Sequence, residues 1–311
     1  MDRLDGSVRL PDRFAGGVVA LGNFDGFHRG HQAVVGRAVA RARAERRPAI
    51  VATFDPHPVR HFRPDAAPFR LTTLDQRQRL FAAAGADAML VFRFDGDLAQ
   101  VAADAFVADR LVARLRAAAV VTGEDFTFGR NKTGDIRALA ELGRPFGLAS
   151  EAVAPVSDAG GPISSSRIRA ALRAGDCAEA TGLLTRPFAI EGPVIHGDKR
   201  GRTIGYPTAN LDVPEKLKLI PAQGIYAVWV TTAAGTRHPG MLAIGVRPTI
   251  GEGLAQTIEV NLLDFSGDLY GQLLTMEFVA WLRGEEKYHG LDALKAQLAL
   301  DAQATRAALG V

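Results

Sequence analysis

From Gly17 to Val156 the chain alternates between short apolar runs and longer segments with helical periodicity. No other feature narrows its fold as much. The apolar runs are GVVAL (17–21), AIVATF (49–54), AMLVF (88–92), AVVTG (119–123) and ASEAVAPV (149–156). Between them lie HQAVVGRAVARARAERR, LDQRQRLFAAAG, DLAQVAADAFVADRLVARLRAA and DIRALAELG, whose apolar residues recur every three or four positions. Strand–helix alternation of this kind predicts a doubly wound parallel sheet with helices on both faces, an α/β domain. Ligands bind such sheets beyond the carboxyl ends of the strands.

The texture changes near Arg186, after a helical stretch SSSRIRAALRAGDCAEATGLL. FAIEGPVIHG, GIYAVWVTTA, HPGMLAIGV, QTIEVNLLD and LLTMEFVAWL then read as strands broken by Gly, Pro and Asp, the pattern of a small antiparallel β-barrel. LDALKAQLALDAQATRAAL reads as a terminal helix. Two domains are therefore expected, 1–184 and 185–311, and 311 residues are ample for both.

Composition excludes several classes of function. The net charge is +3 with no basic block interleaved with aromatics, so nucleic acid is not indicated and small anions suit the charge equally well. The run Arg41–Arg47 reads as the solvated end of a helix. One cysteine, Cys177, rules out an internal disulfide and a cysteine-rich metal site. There is no leader-like apolar region and no run near the about 18 residues that span a membrane, which makes the cytoplasm the expected location. Assembly into a homo-oligomer is left open.

The first strand runs into GNFDGFHRGHQ (22–32). Gly22 and Gly26 permit tight turns and close approach to a ligand. His28 and His31 open a helix, whose first amides and dipole favour an anion, and their i, i+3 spacing lets both face one phosphate. That arrangement suits nucleotidyl transfer by positioning and charge stabilisation, although a helix-capping or metal-binding histidine pair fits the spacing as well. TFDPHP (53–58) and GEDFTFGRNKTGD (123–135) end two further strands on the same rim. In ISSSRIR (163–169) the serines suit a helix cap, or with Arg167 and Arg169 a phosphate site.

The second half holds HGDKRGRTIGYPTANL (196–211), which lacks the Walker A order yet has glycines for phosphate approach. Thr208 and Asn210 alternate on an extended segment, so a hydroxyl and an amide oxygen point the same way, a hard-oxygen pair suited to Mg²⁺. A plain glycine-rich hairpin is the competing reading. Glu259, flanked by core-facing Ile258 and Val260, is the candidate base that takes a proton from a substrate hydroxyl at the barrel mouth.

GNFDGFHRGHQ, TFDPHP, GEDFTFGRNKTGD and ISSSRIRAAL together resemble, in order, the adenylyltransferase module of the prokaryotic bifunctional riboflavin kinase/FAD synthetases. GPVIHGDKRGRTIGYPTANL, GIYAVWV, GVRPTI, EVNLLDFSGDLYG and FVAWLRGEEKY resemble the riboflavin kinase module of the same enzymes. The likeness spans roughly residues 15–310. It implies ATP-dependent phosphorylation of riboflavin to FMN in the barrel domain, then adenylylation of FMN to FAD in the nucleotidyltransferase domain, with ATP as co-substrate at both sites and Mg²⁺ as cofactor. In the first site it implies catalysis by His28 and His31, ATP-phosphate binding by Gly22, Asn23, Phe24, Ser165, Ser166 and Arg169, and flavin or nucleotide contacts from Asp55, His57 and Asp125. In the second it implies Thr208 and Asn210 on the metal, Glu259 as base, and ATP or flavin contacts from Gly197, Lys199, Gly201, Gly205, Pro207 and Arg283. Two positions depart from the resemblance: some relatives carry Asn where this chain has Asp125, and many carry His where it has Asn261. The rival readings are one inactive half, a flavin-sequestering protein without turnover, or a transferase for another nucleotide precursor.

Overall fold

The computed structural model describes residues 1–197, 205–248 and 254–311. They form two compact units, Met1–Ser165 and Ser166–Val311.

The first unit carries, in chain order, β1 (Asp2–Asp5), β2 (Val18–Leu21), α1 (Arg29–Ala44), β3 (Ala49–Asp55), α2 (Pro58–Phe62), α3 (Leu74–Ala83) and β4 (Ala88–Arg93). It continues with α4 (Gly96–Gln100), α5 (Ala103–Ala105), β5 (Ala119–Gly123), α6 (Ile136–Gly143), β6 (Ala149–Val153) and a small hairpin of β7 (Ser157–Asp158) and β8 (Gly161–Pro162). The sheet order is β1-β4-β3-β2-β5-β6, with every neighbouring pair parallel. This is the expected doubly wound sheet. From β2 the chain proceeds outward to β3 and β4 on one side, and β5 and β6 fill the other. The β2/β5 boundary is thus the topological switch point, and the loop following β2 opens at it.

Alternation along β2 explains the layering. Val19 and Leu21 pack with Phe54, Leu111 and Leu139 in one core, while Val18 and Ala20 pack with Val35, Ala38 and Phe81 in the other. Both faces are dry, so the central strands read as continuous apolar runs. The edge strand β1 escaped the sequence reading because DRLD alternates half-buried and exposed residues and has no apolar run. The single long helix expected over residues 97–118 is interrupted at Val101 and Ala102, then continues from α5 into a π-helix over Phe106–Arg114.

The second unit holds α7 (Ser165–Arg173, whose first residue closes the first unit) and α8 (Cys177–Leu184), followed by a closed barrel. Gly175, at φ +78°, and Asp176, which caps α8 by accepting from Glu179 N, break what reads as one helix into two. Ala222 N donates to Leu172 O at 3.0 Å, so these helices pack with the barrel. Its strands are β9 (Phe188–Ile195), β10 (Ala209–Leu211), β11 (Gly224–Thr231), β12 (Arg237–Pro248), β13 (Leu254–Leu262) and β14 (Leu273–Arg283). All are antiparallel, in the closed order β10-β13-β12-β11-β14-β9. Ile190, Tyr226, Val228, Leu242, Val260, Met276 and Phe278 fill its core. The terminal helix, Leu291–Leu309, lies against β11, β12 and β14.

Candidate active sites

In the first unit the loop after β2 is held from below by aromatics. Phe24 and Phe27 are buried and meet Phe81 of α3 edge-to-face, at 6.0 and 5.2 Å between centroids. Both adopt φ +48°, a conformation costly for aromatic residues that persists because the packing fixes it. The Asp25 carboxylate, 2% exposed, accepts from Leu71 N (3.0 Å), Thr72 N (3.0 Å) and Thr72 Oγ1 (3.2 Å). Gly26 N donates back to Thr72 Oγ1 at 2.9 Å. Arg77 of α3, 1% exposed, donates to Thr53 Oγ1 (2.9 Å) and Asn23 O (3.3 Å), and Thr53 Oγ1 donates to Asn23 O at 2.8 Å. The loop is thereby stapled to the ends of β3 and α3 before any ligand arrives.

His28 is the N-cap of α1, its Nδ1 accepting from His31 N at 3.4 Å. The two imidazoles stack with centroids 3.6 Å apart, and Phe24 abuts His31 edge-on at 5.3 Å. Gly30 packs close beneath the stack: a Cβ there would lie 3.2 Å from the His28 ring, which would have to shift by a few tenths of an ångström. His28 therefore caps the helix, and both rings sit where its first amides open, so capping does not exclude the phosphate reading. Ser165, the last residue of the first unit, donates through Oγ to Asp25 O at 2.8 Å. Ser166 and Arg169 lie on the first turns of α7 in the second unit, and Arg167 there pairs with Glu179 at 2.6 Å.

Gly22, Asn23 and Phe24 form the first turn of the loop, with Gly22 N donating to Ala52 O at 3.1 Å. Asp55 ends β3 in an ion pair with buried Arg70, with Arg77 Nη2 at 3.7 Å. His57 caps α2 through Nδ1 and meets Phe69 edge-on at 5.2 Å. Asp125 follows β5 at the same end of the sheet, exposed, its Oδ1 folded over Gly123.

In the second unit, Asn210 lies directly opposite Glu259 in the β10/β13 ladder. Thr208, two residues earlier, donates its hydroxyl to Glu259 Oε2 at 3.1 Å. A hydroxyl, an amide and a carboxylate thus meet on one patch. Gly197, at the end of β9, leaves room for it, since a Cβ there would lie 2.2 Å from Asn210 Nδ2. Ile258 and Val260 are buried in the barrel, as expected. Glu259, between them, therefore faces outward from the barrel core, because successive residues of a strand alternate faces. Gly205 adopts φ +86° and Pro207 O accepts a hydrogen bond from Asn261. Arg283, at the end of β14, donates through Nε and Nη2 to Asp301 of the terminal helix at 2.8 and 2.6 Å, so its planar fork is committed to that carboxylate. Lys199 and Gly201 lie outside the described residues. Among the described residues no group of three or more His, Cys, Asp or Glu side chains is placed to hold a metal, and no helix is long and apolar enough to cross a membrane.

The FAD synthetase family model matches residues 11–167 and the riboflavin kinase model residues 184–309. The bifunctional riboflavin kinase/FMN adenylyltransferase of Escherichia coli K12 is 40% identical over 296 residues, covering 95% of this chain and 94% of that protein. The chain belongs to the bifunctional riboflavin kinase/FMN adenylyltransferase family. Its namesakes in Pseudomonas fluorescens (40% identical, 99% of this chain and 97% of that one) and Bacillus subtilis (36%, 94% and 93%) agree. A crystal structure from Streptococcus pneumoniae described as a macrolide-efflux protein superposes with a TM-score of 0.89 at 32% identity, covering 98% of this chain and 99% of that one. It shares the fold of both units.

Sequence analysis gave no part to Asp25, Arg70 or Arg77, which hold the loop and the end of β3, and it noted Asn261 only as a departure from the resemblance. A signal existed for Arg77: Thr73 and Gln76 form a capping box that fixes the start of α3, and Arg77 then falls on the same face as core residue Phe81. A charged residue on a buried face needs partners, which Thr53 and Asn23 supply. Asp25 gave no such signal, because its partners lie 46 and 47 residues away.

Proposed function

We propose that the loop Gly22–His31 carries adenylyl transfer and that Thr208, Asn210 and Glu259 carry phosphoryl transfer. The protein phosphorylates riboflavin to FMN and adenylylates FMN to FAD, with ATP as co-substrate of both reactions. What carries the residue assignment is that each compact unit holds its own polar constellation on a preformed support, one at the sheet's switch point and one on the barrel wall. We place the functional boundary at 184–185, ahead of β9, and the protein in the cytoplasm.

In the kinase site the ribityl 5′-hydroxyl attacks the γ-phosphorus of ATP, and Glu259 takes its proton. Thr208 orients that carboxylate through Oε2. Thr208 Oγ1 and Asn210 Oδ1 are hard donors that fit Mg²⁺ beside a carboxylate, and these are the residues that would hold it. Bound there, Mg²⁺ would offset phosphate charge.

In the transferase site a phosphate oxygen of FMN attacks the α-phosphorus of ATP, and pyrophosphate leaves. His28 accepts at Nδ1 from the helix in a 3.4 Å contact, and the tautomer compatible with that contact carries an Nε2–H that can donate to a phosphate oxygen. The amides opening α1 add to the field that stabilises the growing charge. Ser165, Ser166 and Arg169 are assigned to the β- and γ-phosphates, and Asp55, His57 and Asp125 to flavin or nucleotide. Gly197, Lys199, Gly201, Gly205, Pro207 and Arg283 complete the assigned kinase set.

Product analysis of two variants tests the division. His28→Ala given riboflavin and Mg-ATP is expected to stop at FMN, whereas Glu259→Gln given FMN is expected to make FAD. Equal loss of both reactions in either variant contradicts it.

A further inference from the structure

The β10/β13 ladder pairs Ala209 with Val260 and Asn210 with Glu259, so the next pair in register is Thr208 with Asn261. β10 nevertheless begins at Ala209. Where its backbone pairing stops, the Asn261 side chain takes over: Nδ2 donates to Pro207 O at 2.7 Å, and Asn261 is only 5% exposed. A buried amide costs free energy unless it is bonded, and this one spends a donor on the peptide that joins Pro207 to Thr208.

From these contacts we propose that Asn261 is a positioning residue for phosphoryl transfer. By fixing the 207–208 peptide it sets the direction of the Thr208 hydroxyl toward Glu259. It sits two residues from Glu259, on the same face of β13, so base and hydroxyl are referenced to one strand. The inference rests on the reading of Thr208, Asn210 and Glu259 as the kinase site. A histidine ring can offer an N–H where the amide does, which makes Asn261→His the conservative variant.

The test uses the full chain with Asn261→Leu, close in volume but without a donor, Asn261→Ser, too short to reach Pro207 O, and Asn261→His. Calorimetric titration with Mg-ADP, which needs no turnover, is compared with kcat and KM for riboflavin phosphorylation; thermal unfolding of each variant is the folding control for the barrel, and FMN adenylylation reports on the other unit. Asn261→Leu and Asn261→Ser are expected to weaken Mg-ADP binding about tenfold, the worth of one buried hydrogen bond, with adenylylation unchanged. Asn261→His is expected to restore binding to within about threefold of the parent. If the Leu and Ser variants bind Mg-ADP like the parent, or if the His variant fails to rescue, the inference is overturned. Thr208→Ala and Glu259→Gln run alongside: were they also indistinguishable from the parent in binding and turnover, the reading of the kinase site itself would fall.

Discussion

The imidazoles of His28 and His31 stack at 3.6 Å with 22° between their planes, and His28 caps the helix on which His31 rides. One ring therefore holds the first turn of α1 and, in the proposed transfer, also presents Nε2–H. His28→Asn separates them, because asparagine is a good N-cap without the imidazole. The variant is expected to melt within a few degrees of the parent while kcat for FMN adenylylation falls about 10²–10³-fold, the usual effect of losing one donor to developing charge. Thermal melts and initial rates of FAD formation check it. A wild-type rate would leave His28 as a cap alone.

Most of the fold is legible in the sequence because its two halves have unlike periodicities. Five of the six parallel strands are apolar runs, and the terminal helix falls on its expected residues, Leu291–Leu309. β1 was illegible because an edge strand needs no dry face, and β10 was legible only as an extended segment around Asn210 because three residues carry too little period to mark a barrel strand. The side chains to which the chemistry is assigned were legible as motifs. Their supports were not: Asp25 reaches Thr72, and Asn261 reaches Pro207, across separations that no local pattern encodes.

Asp25 anchors the transferase loop through charge-assisted bonds to Leu71 and Thr72. Asp25→Asn substitutes an amide that must turn two hydrogens toward donors or leave an N–H unsatisfied. It is expected to cost about 2 kcal/mol of stability and to lower FAD formation by at least about tenfold. FMN formation should stay close to the parent rate. Urea melts together with separate assays of the two reactions would decide, and a parental FAD rate would show that the loop holds without this anchor.

Glu259→Gln keeps the size of the side chain and an acceptor for Thr208 while removing the base. Riboflavin phosphorylation is expected to drop about 10²–10⁴-fold in kcat, with FMN adenylylation untouched. Chelation of Mg²⁺ should abolish phosphorylation in the parent, and added Mg²⁺ should restore it. Retained turnover in Glu259→Gln would move the base elsewhere.

Burial pushes the Cys177 thiol from 9.0 up to about 12, and raises the Tyr226 hydroxyl as well. Between pH 9 and 12 the unfolded chain sheds the thiol proton that the folded chain keeps. Stability from this group is thus fully present below about pH 9 and declines as pH rises through that window. Urea midpoints at pH 8 and pH 10 should show the decline, and a disulfide reagent at pH 8 should label Cys177 far faster in denaturant than in the native protein. Rapid native labelling would contradict the buried, protonated thiol.

The central claim is that two sites act in succession on one flavin. Its most direct test is a chromatographic time course of riboflavin, FMN and FAD with the purified protein and Mg-ATP. The account predicts FMN that rises and then falls as FAD accumulates. Riboflavin that is bound but never consumed would contradict it, and FMN that accumulates without FAD would show that the histidine loop does not perform the assigned transfer.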